Sequence, residues 1–111
     1  MAKAVFLAWS NAVDDEHDGE FNAWYDGTHA PQVRAAIPAI TAVHRYRLSD
    51  VPALGAAPTH RYLAIYELDT DDVAAAAVAL RDAGIAGRLD PGSTIDMAAN
   101  PPVLAWYQAL A

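Results

Sequence analysis

Two stretches of the chain alternate between two kinds of side chain, and this alternation constrains the fold more than any other feature. Within residues 40–49, one set of positions carries Ile40, Ala42, His44, Tyr46 and Leu48, and the other carries Val43, Arg45 and Arg47. Residues 60–68 alternate in the same way. Since successive side chains of a β-strand point to opposite faces, both stretches are predicted to be strands. Residues 50–59, rich in proline, glycine and alanine, are predicted to be a long hairpin loop.

The remaining patterns complete a βαββαβ order. Residues 3–10 are predicted to be a short buried strand and residues 103–110 a last strand. A first helix is expected to begin at the carboxylates of residues 14–16 and to end near His29, with Pro31 opening a further turn. A second, alanine-rich helix is expected to run from an N-cap at Thr70 to Gly84. This order predicts an α+β, ferredoxin-like domain with a four-stranded antiparallel sheet.

Size and charge limit the classes of function. A chain of 111 residues is expected to be one domain, residues 1–111. The net charge is −7, and Lys3 and six arginines are its only cationic side chains. Nucleic acid and anionic membrane surfaces are therefore not expected partners, because both need clustered cations. No segment approaches the roughly 20 apolar residues that span a bilayer, and no signal sequence is recognised, so a cytoplasmic location is expected.

The most distinctive segment is Phe21-Asn-Ala-Trp-Tyr-Asp-Gly-Thr-His-Ala-Pro31. Phe21, Tyr25 and His29 follow one another at intervals of four residues, so a helix would place them on one face. An imidazole beside a phenol and the indole of Trp24 suits proton transfer on an apolar substrate, because histidine titrates near neutrality. The alternative is that the aromatic stripe is core and that His29 bonds a backbone carbonyl.

A second group of polar aromatic residues lies on the predicted hairpin: His44, Tyr46, Tyr62 and Tyr66. If the hairpin is symmetric about Leu54, His44 lies near Ala64 and Tyr46 near Tyr62. Tyrosines can orient a substrate oxygen, and His44 could act as a second acid or base. The alternatives are that tyrosine simply packs well in strands, or that this face forms a dimer interface.

Other chemistries lack their sequence patterns. The four histidines show neither His-x-x-x-His nor Glu-x-x-His spacing, so no metal site is predicted. No glycine-rich phosphate loop and no serine nucleophile motif is present, and there is no cysteine. Neither haem nor another cofactor is expected.

The pattern Trp24-Tyr25, His29 and Pro31 after a first strand resembles the EthD-like branch of the dimeric α+β barrel superfamily. Tyr46-Arg47-Leu48 at the end of the second strand is also similar. The resemblance implies a homodimer, with a pocket in each subunit between helices and sheet. It implies that Trp24, Tyr25 and His29 lie near that pocket. Relatives include polyketide cyclases, cofactor-free monooxygenases, lactone isomerases and haem-degrading enzymes.

Together these features predict a cofactor-free enzyme of cyclase, isomerase or lyase type that moves protons on an apolar, aromatic or polyketide-like carbonyl compound. The alternatives are a cofactor-free monooxygenase and a non-catalytic small-molecule-binding protein. His29 and Tyr25 are the predicted catalytic residues. The predicted substrate-binding residues are Trp24, Phe21, Trp9, Phe6, His44, Tyr46 and Tyr66. The uncovered sheet face is expected to pair with a second copy of the chain.

Overall fold

The computed structural model describes residues 2–111, in which four strands form one antiparallel sheet with the order β2-β3-β1-β4. The strands are β1 (Ala4–Ser10), β2 (Ile40–Arg47), β3 (Tyr62–Leu68) and β4 (Val103–Gln108). The helices are α1 (Asp18–Trp24), α2 (Ala30–Ala36) and α3 (Val73–Ile85). The α+β, ferredoxin-like arrangement predicted from the alternating patterns is confirmed.

The two central strands turn their even-numbered side chains toward the helices. In the β1–β3 pairing, Phe6 lies opposite Tyr66 and Ala8 opposite Ala64. Both strands alternate strictly between buried and half-buried residues. The buried set packs against Phe21 and Tyr25 of the helical layer and forms the core. This arrangement follows from burial of one sheet face, which the period of two in the sequence requires.

A bulge in β2 decides which of its two faces meets the helices. Ile40 pairs with Leu68, but the next pairing is Ala42 with Glu67, so Thr41 is the extra residue. Since an extra residue shifts the alternation by one, the odd-numbered Val43 and Arg45 face the helices. The bulge also shifts each later pair of β2 with β3 by one residue, so the predicted register of the hairpin is wrong.

His44 pairs with Ile65 rather than lying near Ala64, and Tyr46 pairs with Leu63 rather than lying near Tyr62. Both side chains point away from the helices, on the opposite face from Tyr62 and Tyr66. The predicted cluster of four polar aromatic residues on one face does not form.

The first helical region is continuous but changes its hydrogen-bond pattern halfway. After a short 3-10 helix (Asp15–His17), α1 leads into a π-helical turn (Tyr25–His29), which leads into α2. The Ala30 N–H donates to the Tyr25 carbonyl, a bond across five residues. The wider turn accommodates Pro31, which has no N–H to donate and lies in the first turn of α2. The predicted further turn from Pro31 through Ile37 corresponds to α2, but the chain is continuously helical across His29 rather than ending there.

The caps of α3 differ from the predicted ones by a few residues. Asp72 is the N-cap and accepts a hydrogen bond from the Ala75 N–H at 3.0 Å, whereas Thr70 accepts from the Asp72 N–H. The helix passes Gly84 and stops before Gly87, which has a φ of 75°. A left-handed residue after the last turn is a common helix terminator.

Residues 86–102 connect α3 to β4 and cross the helix-covered face of the sheet. The Thr94 carbonyl accepts a hydrogen bond from the Val13 N–H at 2.7 Å, and the Asp96 N–H donates to the Asn11 carbonyl at 2.9 Å. The Asp96 carboxylate accepts from the N–H groups of residues 98–100. The His60 ring contacts the Pro101 carbonyl oxygen at 2.9 Å. These bonds hold an irregular segment in one position over the sheet.

The second face of the sheet has no helix over it. Its central strip consists of the half-buried side chains Leu7, Trp9, Leu63 and Ile65, and Val103 and Tyr107 are about half exposed beside it. Within residues 2–111, none of the helices combines the length and the apolar composition needed to cross a membrane.

Candidate functional site

A cavity of about 300 Å³ lies between the helical layer, the sheet and residues 86–102. This is near the lower end of the range found for ligand-binding pockets. It is lined by Phe6, Ala8, Ser10, Trp24, Tyr25, His29, Val33, Tyr66, Leu80, Leu89, Asp90, Pro91, Ile95, Met97, Pro102 and Leu104. The walls are mostly apolar, and the polar groups come mainly from the π-helical region and the sheet.

The π-helical turn brings two aromatic rings of the distinctive segment into contact. The rings of Trp24 and His29 stack with centroids 4.8 Å apart and an interplanar angle of 20°. Residues five apart are not neighbours on an α-helix, but they approach one another where a turn bonds across five residues. The ring of Tyr25 meets His29 edge-on, with centroids also 4.8 Å apart. The local change in helix type therefore assembles this part of the cavity wall.

The imidazole of His29 is available to a molecule in the cavity. Its Nδ1 is buried and has no hydrogen-bond partner in the described protein, so no backbone carbonyl holds the ring. Burial, with a smaller effect of the Arg45 charge, lowers the pKa of His29 to about 4, although Asp90 opposes this shift. The ring is therefore neutral at physiological pH.

Two tyrosine hydroxyls lie together at the sheet side of the cavity. The Tyr66 hydroxyl donates to the Tyr25 hydroxyl oxygen at 3.5 Å, and both residues are almost completely buried. Burial raises the pKa of Tyr25 and that of Tyr66 above the ordinary phenol value. Both hydroxyls are therefore protonated at neutral pH. Neither hydroxyl has another hydrogen-bond partner in the described chain, so Tyr25 can donate its proton to a bound molecule.

Arg45 lies behind Tyr25 on the side away from the cavity. Its guanidinium carbon is 4.2 Å from the centroid of the Tyr25 ring, a cation–π contact. Nη1 donates to Asp26 at 3.0 Å and Nη2 to Asn22 at 2.9 Å. The bulge at Thr41 makes this arrangement possible, because it turns Arg45 toward the helices.

In the segment of residues 86–102, Gly92 lies directly against the indole ring of Trp24. Its φ is +70°, and a Cβ built there would lie 2.7 Å from Cζ2 of Trp24. Only glycine allows both this backbone conformation and this approach. Asp90 is held nearby, because its N–H donates to the Gln32 side chain and its carboxylate accepts from the Gly92 N–H, each at 2.7 Å.

Five of the predicted site residues line the cavity: Phe6, Trp24, Tyr25, His29 and Tyr66. Phe21 does not line it but is fully buried in the core beneath, with its ring centroid 5.7 Å from that of Tyr25. The predicted stripe of Phe21, Tyr25 and His29 is therefore divided between core and cavity by the π-helical turn.

Three predicted substrate-binding residues lie away from the cavity. Trp9 points to the uncovered face of the sheet, because it is odd-numbered on β1 while Phe6 is even-numbered. His44 and Tyr46 lie on that same face because of the bulge. The Nε2 of His44 contacts the Glu67 carboxylate at 2.6 Å, so this histidine already has a protein partner. These three residues therefore do not line this cavity, and their predicted role in binding substrate stays a prediction.

Sequence reasoning missed the wall formed by residues 86–102. Leu89, Asp90, Ile95 and Met97 all come from this irregular stretch, which has no periodic pattern. The dipeptide Pro91-Gly92 indicates a turn, but a turn does not reveal what it covers. Leu80 and Val33, on the inner faces of α3 and α2, complete the wall.

One group of possible metal ligands occurs among residues 2–111, and it is remote from the cavity. Asp14, Glu16 and His17 lie on the first short helix, exposed or half-buried. Asp14 accepts hydrogen bonds from both the backbone N–H and the ring of His17, which explains their proximity as a helix cap.

The sequence and the fold can now be compared with those of known proteins. No described protein family and no curated protein matches the sequence. An EthD-like protein from Ralstonia eutropha JMP134 has a similar structure, with a TM-score of 0.57 and 20% identity over 100% of this chain and 96% of that one. An ethyl tert-butyl ether D (EthD) family protein from Bacillus halodurans C-125 gives 0.54, with 20% identity over 99% and 100%.

HapK from Hahella chejuensis is also similar, with a TM-score of 0.52 and 12% identity over 97% of this chain and 94% of that one. Identities this low establish a common fold and no more. The chain has the fold of the EthD-like proteins, as its Trp-Tyr, His and Pro pattern implied.

Proposed function

We propose that the chain is a small-molecule enzyme that transfers a proton on an apolar ring compound carrying a carbonyl group. The observation that carries the proposal is the neutral imidazole of His29, which lacks a protein hydrogen-bond partner and lines an apolar cavity beside two tyrosine hydroxyls. A buried polar atom without a partner is uncommon and needs an explanation. Nδ1 is that atom, so no protein hydrogen bond fixes the ring, and we propose that a bound molecule holds it in place through Nε2.

In this mechanism His29 accepts a proton from carbon next to the substrate carbonyl through Nε2. The Tyr25 hydroxyl donates to the carbonyl oxygen, where negative charge develops as the proton leaves. Tyr66 donates to Tyr25 and keeps its oxygen occupied, so that the Tyr25 proton points to the substrate. Return of the proton to another position completes an isomerisation. The apolar walls exclude water and strengthen each of these interactions.

A second candidate function is binding without catalysis. The low pKa of His29 favours it, because a base with a pKa of about 4 removes protons from carbon weakly.

A cofactor-free monooxygenase would use the same residues and would consume oxygen during turnover, which an oxygen electrode measures directly.

The test is exchange of carbon-bound protons in deuterium oxide. β-Tetralone, a bicyclic ketone, is incubated with the protein and followed by proton NMR. Catalysed exchange is expected for the wild type and a loss of about 100-fold or more for His29→Gln, the usual size of a general-base contribution. His44→Gln is the matched control, since His44 lies on the opposite face of the sheet, and should exchange at the wild-type rate.

Equal exchange by the wild type and His29→Gln would overturn the assignment of His29. If β-tetralone binds but none of its protons exchange, the chain is a binding protein and not an enzyme of this type.

A further inference from the structure

We propose that the cavity selects uncharged ring compounds against anionic ones because its lining holds no cation, and that Asp90 increases this preference. The inference rests on the proposed function only in that the same cavity holds the ligand. It concerns which molecules enter and not whether they react.

The first observation is the charge of the cavity wall. Asp90, an exposed residue, is the only acidic or permanently charged side chain among the residues that line it. The remaining polar groups are the hydroxyls of Ser10, Tyr25 and Tyr66 and the neutral ring of His29. A ligand carboxylate in this cavity would therefore meet one negative charge and no positive charge. Burying a carboxylate without a cationic partner costs several kcal/mol, whereas a hydroxyl or carbonyl needs only a hydrogen bond.

The second observation is that Arg45, the cation whose charge acts on the His29 ring, is already paired. Arg45 lies behind the Tyr25 ring, outside the cavity lining, and its guanidinium is bonded to Asp26 and Asn22. Arg88 precedes Asp90 by two residues but does not line the cavity. With a net charge of −7, the chain also adds no long-range attraction for anions.

The third observation is that Asp90 is fixed in place. Its backbone N–H is bonded to Gln32 of α2, and its carboxylate accepts the Gly92 N–H in the turn that presses on Trp24. Asparagine can accept the same hydrogen bond from Gly92 through its amide oxygen. Asp90→Asn therefore removes the charge while keeping the turn.

The experiment compares two ligands that share one ring system, β-naphthol and β-naphthoate, by isothermal titration calorimetry at pH 7. The wild type is expected to bind β-naphthol at least about tenfold more tightly, because the carboxylate of β-naphthoate loses hydration without gaining a cationic partner and also faces Asp90. In Asp90→Asn the preference should fall by about threefold but persist, because the desolvation cost of the carboxylate remains. Asp50→Asn, which removes the same charge from the exposed hairpin loop, should keep the wild-type preference.

Equal or tighter binding of β-naphthoate by the wild type would overturn the proposal, and so would an unchanged preference in Asp90→Asn. Either result leaves the proposed function standing if β-tetralone is still exchanged. Conversely, selective binding of β-naphthol without exchange of β-tetralone would refute the proposed reaction and uphold the selectivity. Failure of the wild type to bind either naphthalene would overturn both, because the cavity would not be a site for ring compounds.

Discussion

At the scale of single residues, His29 couples the cavity to the stability of the fold. Its pKa of about 4 in the folded chain lies below the ordinary value of 6.5. Between these two pH values the unfolded chain binds the proton and the folded chain does not. Stability from this group is therefore complete above pH 6.5 and is lost as the pH falls through 4.

The pH dependence of unfolding tests this coupling. The shift corresponds to about 3 kcal/mol, since one pKa unit is worth about 1.4 kcal/mol. In urea unfolding, the wild type should lose nearly this much unfolding free energy between pH 7 and pH 4. His29→Phe should not show this loss, although its phenyl ring can still stack on Trp24. His44→Gln should retain the wild-type dependence. Parallel curves for the wild type and His29→Phe would show that His29 is not buried in solution.

Gly92 shows how a residue that carries no chemistry can shape the site. The indole of Trp24 occupies the space where any side chain at position 92 would begin. Gly87 offers a matched comparison, because its φ of +75° is similar but nothing lies within 4 Å of a Cβ built there. The two glycines therefore separate backbone strain from steric contact.

Gly87→Ala should lose about 1 kcal/mol of unfolding free energy, the cost of placing an alanine in the left-handed region. Gly92→Ala should lose more and should also weaken β-naphthol binding, because Trp24 must move. Chemical unfolding and calorimetry measure the two effects. If the two variants are equally destabilised and bind equally well, the segment does not press on Trp24.

At the scale of elements, two irregularities decide the site. The π-helical turn stacks Trp24 on His29, and the bulge at Thr41 directs Arg45 to the back of Tyr25. Each inserts one residue into a regular pattern, and each is the kind of irregularity that often accompanies functional sites. A regular helix and a regular strand with the same residues would separate these side chains.

At the scale of the whole molecule, the uncovered face of the sheet is the feature to explain. It presents Leu7, Leu63 and Ile65 in a central strip with no covering element among residues 2–111. An apolar sheet face of this kind marks an interaction surface. We propose that a second copy of the chain covers it, as the EthD-like resemblance implies.

Light scattering after size-exclusion chromatography tests the pairing. The wild type at micromolar concentration should have twice the chain mass of 11.8 kDa. Ile65→Lys, which places a charge in the centre of the face, should give the monomer mass with an unchanged circular dichroism spectrum. Val78→Lys on the exposed side of α3 should remain dimeric. A monomeric wild type would refute the proposal.

The sequence by itself determined the order of elements and the approximate place of the site. Alternation in residues 3–10 and 60–68 correctly separated the side chains of β1 and β3 into two faces, since burial of one face imposes a period of two, but it did not indicate which face meets the helices. The Trp-Tyr, His and Pro pattern correctly identified the helix that borders the cavity. These features are local, and local patterns are what a sequence records most directly.

Only the tertiary structure decided which face of β2 meets the helices and what closes the cavity. The bulge at Thr41 is set by pairing with Glu67 and Leu68, more than twenty residues away, so no pattern within β2 reveals it. The placement of His44 and Tyr46 failed for that reason. Asp90 and Gly92 lie in a segment without periodicity, and their position depends on long-range bonds to Gln32 and to the segment around Val13. Such contacts form only when the whole chain has folded, because their partners are distant in sequence.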